Sequence, residues 1–110
     1  MGFDQLALER TQMMKILAEE QIKAGRFERG IDTAKEALAI QTSFFKGMIN
    51  FQVQETMLLL AEAFTVNSNA DKALNLYKQL LDARSSGFGG AEGDSKRDIL
   101  RKMAPLFTQL

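Results

Sequence analysis

The sequence contains no cysteine, no histidine and no tryptophan. The absence of cysteine excludes disulfide bonds and thiolate catalysis and suits a reducing compartment, so we expect a cytoplasmic location. The usual general base and the usual zinc ligands are also absent. The remaining carboxylate pairs, Glu19 with Glu20 and Glu55 with Glu62, lie among basic residues in the pattern of a solvated helix face. We therefore expect no enzymatic activity, no cofactor and no metal.

An excess of charge of one sign is also missing. The 14 basic and 14 acidic residues cancel, and the two signs are balanced within each half of the chain. A surface that grips the phosphate backbone is usually basic, so we expect no nucleic-acid partner. No apolar run is long enough to span a bilayer, and the start of the chain lacks the basic segment and apolar core of a secretory signal. We therefore expect no membrane partner.

What is present is a stretch, Met57 to Leu81, that predicts two antiparallel helices joined by Asn67-Ser68-Asn69. One face of the first helix carries Met57, Leu60, Ala61 and Phe64, and one face of the second carries Ala73, Leu74, Tyr77, Leu80 and Leu81. A shift of 43 residues places the first pattern on Met14, Leu17, Ala18 and Gln21, and on Leu100, Met103, Ala104 and Phe107. The second pattern falls on Gly30, Ala34 and Ala37. This recurrence predicts a duplicated helical hairpin in which Met14, Met57 and Leu100 occupy like surroundings.

The pattern M-x2-L-A-x2-F…A-x3-Y-x2-L, its weaker copy M-x2-L-A-x2-Q…G-x3-A-x2-A and the half copy L-x2-M-A-x2-F resemble the tetratricopeptide repeat. The turn Ala24-Gly25-Arg26-Phe27 is similar to the glycine-containing turn of that family. Tryptophan and the closing proline are missing, and the period is longer than the usual ~34 residues. The longer period resembles the repeats of kinesin light chains and bacterial regulators. The resemblance implies an all-α, right-handed α-solenoid of antiparallel hairpins, with about five helices in two and a half repeats.

We expect a single domain, 1–110, with repeat 1 at about 5–40 and repeat 2 at about 44–83. A break at Thr42-Ser43, with Ser43 as a cap, predicts one long helix from Phe44 to Val66. The apolar cluster at its start fills the space between two helices or forms a partner-binding patch; it comprises Phe44, Phe45, Met48, Ile49 and Phe51. We expect a glycine-rich loop at 84–94 and a helix at 95–110. Ser95 and Asp98 form a capping box at the start of that helix, and Pro105 kinks it. That helix is a terminal cap, or the chain is a piece of a longer array.

The family resemblance implies that the first helix of each repeat lines a groove that holds a protein partner. The expected groove residues are Gln12, Lys15, Ile16, Glu19, Ile22, Lys23, Glu55, Leu58, Leu59, Glu62, Thr65, Arg101 and Lys102, with Asp98 and Thr108 on the same side. Glu19, Leu59 and Asp98 stand where a two-carboxylate clamp would need basic or amide groups, so we expect no such clamp. An apolar strip of Ile16, Leu58 and Leu59 suits an amphipathic helix, unless these residues pack within the chain.

These observations predict a non-catalytic protein–protein interaction or scaffold module that binds a peptide or an amphipathic helix. The alternative is a homodimerisation domain, or a structural docking domain of a larger multidomain protein.

Overall fold

The computed structural model describes residues 2–85 and 93–109, and the side chains of 5–85 and 96–109. Five α-helices occur in this part of the chain: α1 (Gly2–Lys23), α2 (Phe27–Phe44), α3 (Phe51–Val66), α4 (Ala70–Ser85) and α5 (Gly93–Met103). A 3-10 helix, Ala104–Gln109, follows α5. No strand occurs in the described ranges, so the prediction of an all-α chain with five helices is confirmed. Most of the predicted glycine-rich loop, at 86–92, lies outside the described residues.

The helices pack in chain order, with α1 against α2, α2 against α3, α3 against α4, and α4 against α5 and the 3-10 helix. The resulting body is flat, measuring 45 × 34 × 17 Å. Most residues of its core come from α3 and α4, and α1, α2, α5 and the 3-10 helix add the remainder. The predicted hairpin residues Met57, Leu60, Phe64, Tyr77 and Leu80 all lie in this core.

The turns that close the two hairpins have the same backbone geometry at a shift of 43 residues. Gly25, with φ 82°, corresponds to Ser68, with φ 62°. The Arg26 amide donates to the Gln21 carbonyl at 2.8 Å, and the Asn69 amide donates to the Phe64 carbonyl at 2.8 Å. Both bonds satisfy carbonyls that the last turn of a helix leaves free, which is the usual role of a left-handed residue at this position.

The predicted likeness of Met14, Met57 and Leu100 is wrong with respect to solvent exposure. Met57 is 3% exposed and Leu100 is 52% exposed, while Met14 is half-buried. Helix α3, which carries Met57, packs against both α2 and α4. Helix α5 packs against α4 and the 3-10 helix, and Leu100 on α5 and Phe107 on the 3-10 helix are exposed. The sequence pattern therefore recurs every 43 residues, but the solvent exposure of equivalent residues depends on which helices pack beside them.

The connection between α2 and α3 corrects two predictions. Helix α2 does not break at Thr42-Ser43, because the Thr42 hydroxyl bonds back to the Leu38 carbonyl at 2.7 Å inside the helix. The chain turns at Lys46 and Gly47, which have φ of 55° and 82°. Asn50, whose side chain accepts a hydrogen bond from the Val53 amide at 3.1 Å, then caps α3. The predicted long helix from Phe44 to Val66 and the predicted cap at Ser43 are therefore wrong.

The apolar cluster at this connection divides into two parts. Phe45 and Ile49 pack against the core, as the space-filling interpretation predicted. Met48 and Phe51 are exposed.

The C-terminal helix is shorter than predicted. Helix α5 begins at Gly93, so Ser95 lies inside it and the predicted capping box is wrong. The α-helix ends at Met103, two residues before Pro105, and the chain continues as a 3-10 helix. Proline has no amide hydrogen and its ring clashes with the preceding turn, which disfavours a continuing α-helix. No described helix is long and apolar enough to cross a membrane.

Candidate functional site

A groove crosses the face of the molecule where α1, α3 and α5 present their side chains. Its volume is about 570 Å³. We call it the central groove and define it by the residues that line it: Glu19, Ile22 and Lys23 from α1, Leu59, Glu62, Thr65 and Val66 from α3, Tyr77 from α4 and Lys102 from α5. The volume lies within the range of about 300–1,000 Å³ that is usual for ligand-binding clefts.

The floor of the central groove is apolar and its rim is charged. Leu59 and Tyr77 are buried, Ile22 is half-buried, and Val66 is exposed at one end. Glu19 and Lys23 on α1 are exposed, and Glu62 on α3 lies opposite Lys102 on α5. Acidic and basic side chains therefore flank an apolar surface, which is the arrangement that an amphipathic segment can complement.

Two ion pairs connect the helices that form the groove. Lys15 on α1 donates to Glu55 on α3 at 2.8 Å, and Lys102 on α5 donates to Glu62 on α3 at 3.1 Å. Both partners of the Lys102–Glu62 pair are substantially exposed, so this pair contributes about 0.2–1 kcal/mol to stability. In the other pair Glu55 is exposed, but the side chain of Lys15 is only 14% exposed. The two pairs show that side chains of α1 and α5 each reach side chains of α3.

Tyr77 lines the central groove together with Glu62 and Lys102, and the charges of both influence its phenol. Burial, followed by the negative charge of Glu62, raises the pKa of Tyr77 above its ordinary value, while a hydrogen bond with Thr65 acts in the opposite direction. The hydrogen bond to Glu62 raises the pKa of Lys102, and partial burial opposes it. Both shifts favour the protonated forms at neutral pH, so this part of the groove offers a phenol donor, an ammonium and a carboxylate.

Of the thirteen predicted groove residues, the structure brings seven to the central groove: Glu19, Ile22, Lys23, Leu59, Glu62, Thr65 and Lys102. Lys15 and Glu55 do not line it, although their ion pair joins the same helices. Gln12, Ile16, Leu58 and Arg101 also lie outside its lining. The predicted apolar strip of Ile16, Leu58 and Leu59 does not form, because Leu59 is a core residue, Leu58 packs against the core and Ile16 is exposed on α1.

Sequence reasoning missed Val66 and Tyr77. Val66 is the last residue of α3, and it follows Thr65 and Glu62 on the groove side. The pattern places Tyr77 on the apolar face of its helix, and Tyr77 is indeed buried. Its polar end could have been expected to find a partner, because a buried tyrosine hydroxyl usually does.

The described residues contain no group of three or more histidine, cysteine, aspartate or glutamate side chains that could hold a metal ion. Comparison with protein-family models, with curated proteins and with solved structures found no match in any of the three.

Proposed function

We propose that this protein is a non-catalytic interaction module that holds a peptide or an amphipathic helix of a protein partner in the central groove. We also propose that its hairpins form an α-solenoid of the tetratricopeptide type. The recurrence of the hairpin turns at a shift of 43 residues and the packing of helices in chain order support this proposal.

The observation that carries the proposed function is the composition of the central groove. Three helices that are not consecutive in the chain, α1, α3 and α5, contribute to one continuous surface. Its floor contains Leu59 and Ile22, and its rim contains charges of both signs. A helix with one apolar face and mixed flanking charges fits such a surface, because apolar anchors supply affinity and the charges fix orientation.

The test uses peptides selected from a display library against the whole chain, with affinities measured by fluorescence anisotropy. Val66→Lys introduces a charge at the groove end of α3, where the side chain is 49% exposed. We expect this variant to bind the selected peptides at least about tenfold more weakly, which is the loss typical of an important interface residue.

Leu100→Lys is the matched control, because Leu100 is 52% exposed and lies outside the central groove. We expect its affinity to remain close to that of the original protein. Both variants should keep the original melting midpoint, since both side chains are largely exposed. An equal loss in the two variants, or a loss confined to Leu100→Lys, would contradict the proposal.

A further inference from the structure

Helix α1 carries an apolar face that the corresponding helices bury. At a shift of 43 residues, Met13 corresponds to Thr56 and Leu17 corresponds to Leu60, both of which are buried in α3. In α5 the corresponding residues, Ile99 and Met103, are buried as well. In α1, by contrast, Met13 is 71% exposed and Leu17 is 50% exposed. The face of α1 that carries Met13 and Leu17 is therefore exposed, although its counterparts in α3 and α5 are buried.

The spacing of this face is that of a helix–helix seam. Its residues alternate at intervals of four and three: Leu6, Arg10, Met13, Leu17, Glu20 and Ala24, which we call the α1 seam. All six are exposed, and Ala24 directly follows the last residue of the helix. Intervals of four and three keep side chains along one line of a left-handed helix pair.

The residues of the α1 seam are complementary to the same residues taken in the opposite direction. When two copies lie antiparallel about a twofold axis near residue 15, Met13 faces the partner's Leu17, and Arg10 faces the partner's Glu20. Each contact occurs twice, as an isologous interface requires. At the two ends of the α1 seam, Leu6 then lies against the partner's Ala24, so a large residue meets a small one.

The residues that flank the α1 seam follow the same symmetry. Ile16, which is exposed beside the seam, meets the partner's Ile16 near the axis. Glu9 meets the partner's Lys23, so a second type of ion pair borders the first. Flanking charges of this kind set the orientation of paired helices.

We propose that two copies of this chain associate through an antiparallel pair of α1 helices. A parallel pair would place Arg10 against the partner's Arg10 and Glu20 against the partner's Glu20, and like charges in contact oppose association. The exposed residues Leu100 on α5 and Phe107 on the 3-10 helix do not form such a pattern, because no acidic and basic residue stand at mirrored positions in line with them. The α1 seam is therefore the face on which charge complementarity specifies a second copy.

The predicted interface consists of one helix from each copy. A standard protein interface buries about 1,200–2,000 Å² in total, and a single pair of helices of this length buries less. We therefore expect a weak dimer, with a dissociation constant of about 10–100 µM. The intramolecular ion pairs of Arg10 with Glu36 and of Glu20 with Lys23 are long and exposed, so they compete only weakly with the pairs between copies.

The test is analytical ultracentrifugation of the whole chain over a dilution series from about 1 to 500 µM, which spans the expected dissociation constant. Arg10→Glu and Glu20→Arg each create two repulsive contacts per dimer, and we expect each to weaken association at least about tenfold. The double variant R10E/E20R restores complementarity and should dimerise like the original protein. An equimolar mixture of the two single variants should form a heterodimer.

The control is Asp32→Arg on α2, which changes the net charge as Glu20→Arg does at an exposed position away from the seam. We expect it to dimerise normally. A chain that remains monomeric throughout the series would overturn the proposal. So would a dimer that tolerates both single reversals, or one that the double variant fails to restore.

Because the chain has no cysteine, orientation can be read independently from Met13→Cys and Leu17→Cys. When the two variants are mixed and oxidised, the antiparallel dimer gives mainly the disulfide between the two different variants. Mainly homodisulfides would overturn the antiparallel arrangement. Neither result depends on whether the central groove binds a peptide.

Discussion

Two glutamines that are buried to the same degree have opposite hydrogen-bonding environments. The side-chain oxygen of Gln54 accepts from the Arg84 Nε at 3.1 Å, and its amide nitrogen donates to the Ile49 carbonyl at 3.2 Å. The side-chain oxygen and nitrogen of Gln41 have no hydrogen-bond partner among the described residues. A buried side-chain amide stabilises the folded state only when its hydrogen bonds are formed. We therefore expect Gln54 to stabilise the folded state and Gln41 to destabilise it.

We predict that Gln41→Met raises the free energy of unfolding by about 1–2 kcal/mol, because it removes buried polar atoms that lack partners. Gln54→Met should lower it by about 1–3 kcal/mol, because it leaves the Ile49 carbonyl without this donor. Urea denaturation followed by far-ultraviolet circular dichroism measures both changes. A loss of stability in Gln41→Met as large as that in Gln54→Met would contradict the interpretation.

Residue burial was predictable where the amphipathic pattern is strong, as at Met57, Phe64 and Tyr77. It was not predictable at Gln41, because a polar residue carries no periodic signal for burial. Leu17 shows the opposite failure, since its place in the pattern predicted packing and the described chain leaves its face open. At both residues the burial depends on which neighbouring helices cover the position, and the pattern of a single helix does not contain this information.

At the scale of the helix pair, α1 and α2 approach each other closely at Gly30. A Cβ at this position would lie 2.6 Å from the Ile22 Cγ1 and 3.3 Å from the Ala18 carbonyl oxygen. At a shift of 43 residues the second hairpin has Ala73 in place of Gly30 and Thr65 in place of Ile22. The larger residue on one helix is thus accompanied by a smaller one on the other, so we expect the two hairpins to divide a similar side-chain volume differently between their helices.

We predict that Gly30→Ala lowers the free energy of unfolding by up to about 2 kcal/mol, because an overpacking cost of about 1–3 kcal/mol outweighs the gain of about 1 kcal/mol in helix propensity. Adding Ile22→Thr reproduces the combination found in the second hairpin. The double variant should be at least about 0.5 kcal/mol more stable than the sum of the single changes implies. Chemical denaturation of the four proteins in the cycle measures this coupling, and strict additivity would show that the two sites do not compete for volume.

The element boundaries that sequence reasoning located correctly are those with a local signal. Val66 and Ala70 flank the predicted turn at Asn67-Ser68-Asn69, and Gly25 lies in the predicted turn between α1 and α2. The turn between α2 and α3 was misplaced, although Gly47 and Asn50 are residues typical of turns and caps. The apolar cluster around them continued the helical pattern and outweighed that signal.

At the scale of the whole molecule, the flat arrangement separates three surfaces. The central groove extends over α1, α3 and α5, and the α1 seam lies on the adjacent face of α1. The third surface presents Leu100 of α5 and Phe107 of the 3-10 helix. The two proposed interactions therefore use different sides of α1 and meet only near Lys23. The sequence pattern predicted most of the residues that line the central groove, but it could not predict the degree to which a floor residue such as Leu59 is buried.

If the side chains of α1, α3 and α5 form one binding surface, a bound peptide should affect all three helices together. Proton–nitrogen correlation spectra of the isotopically labelled protein, recorded while a selected peptide is added, measure this. We expect the largest chemical-shift changes on the backbone amides of Glu19, Leu59 and Lys102, which lie in three different helices. Changes concentrated on the exposed faces of α2 and α4, around Lys35 and Lys72, would contradict it.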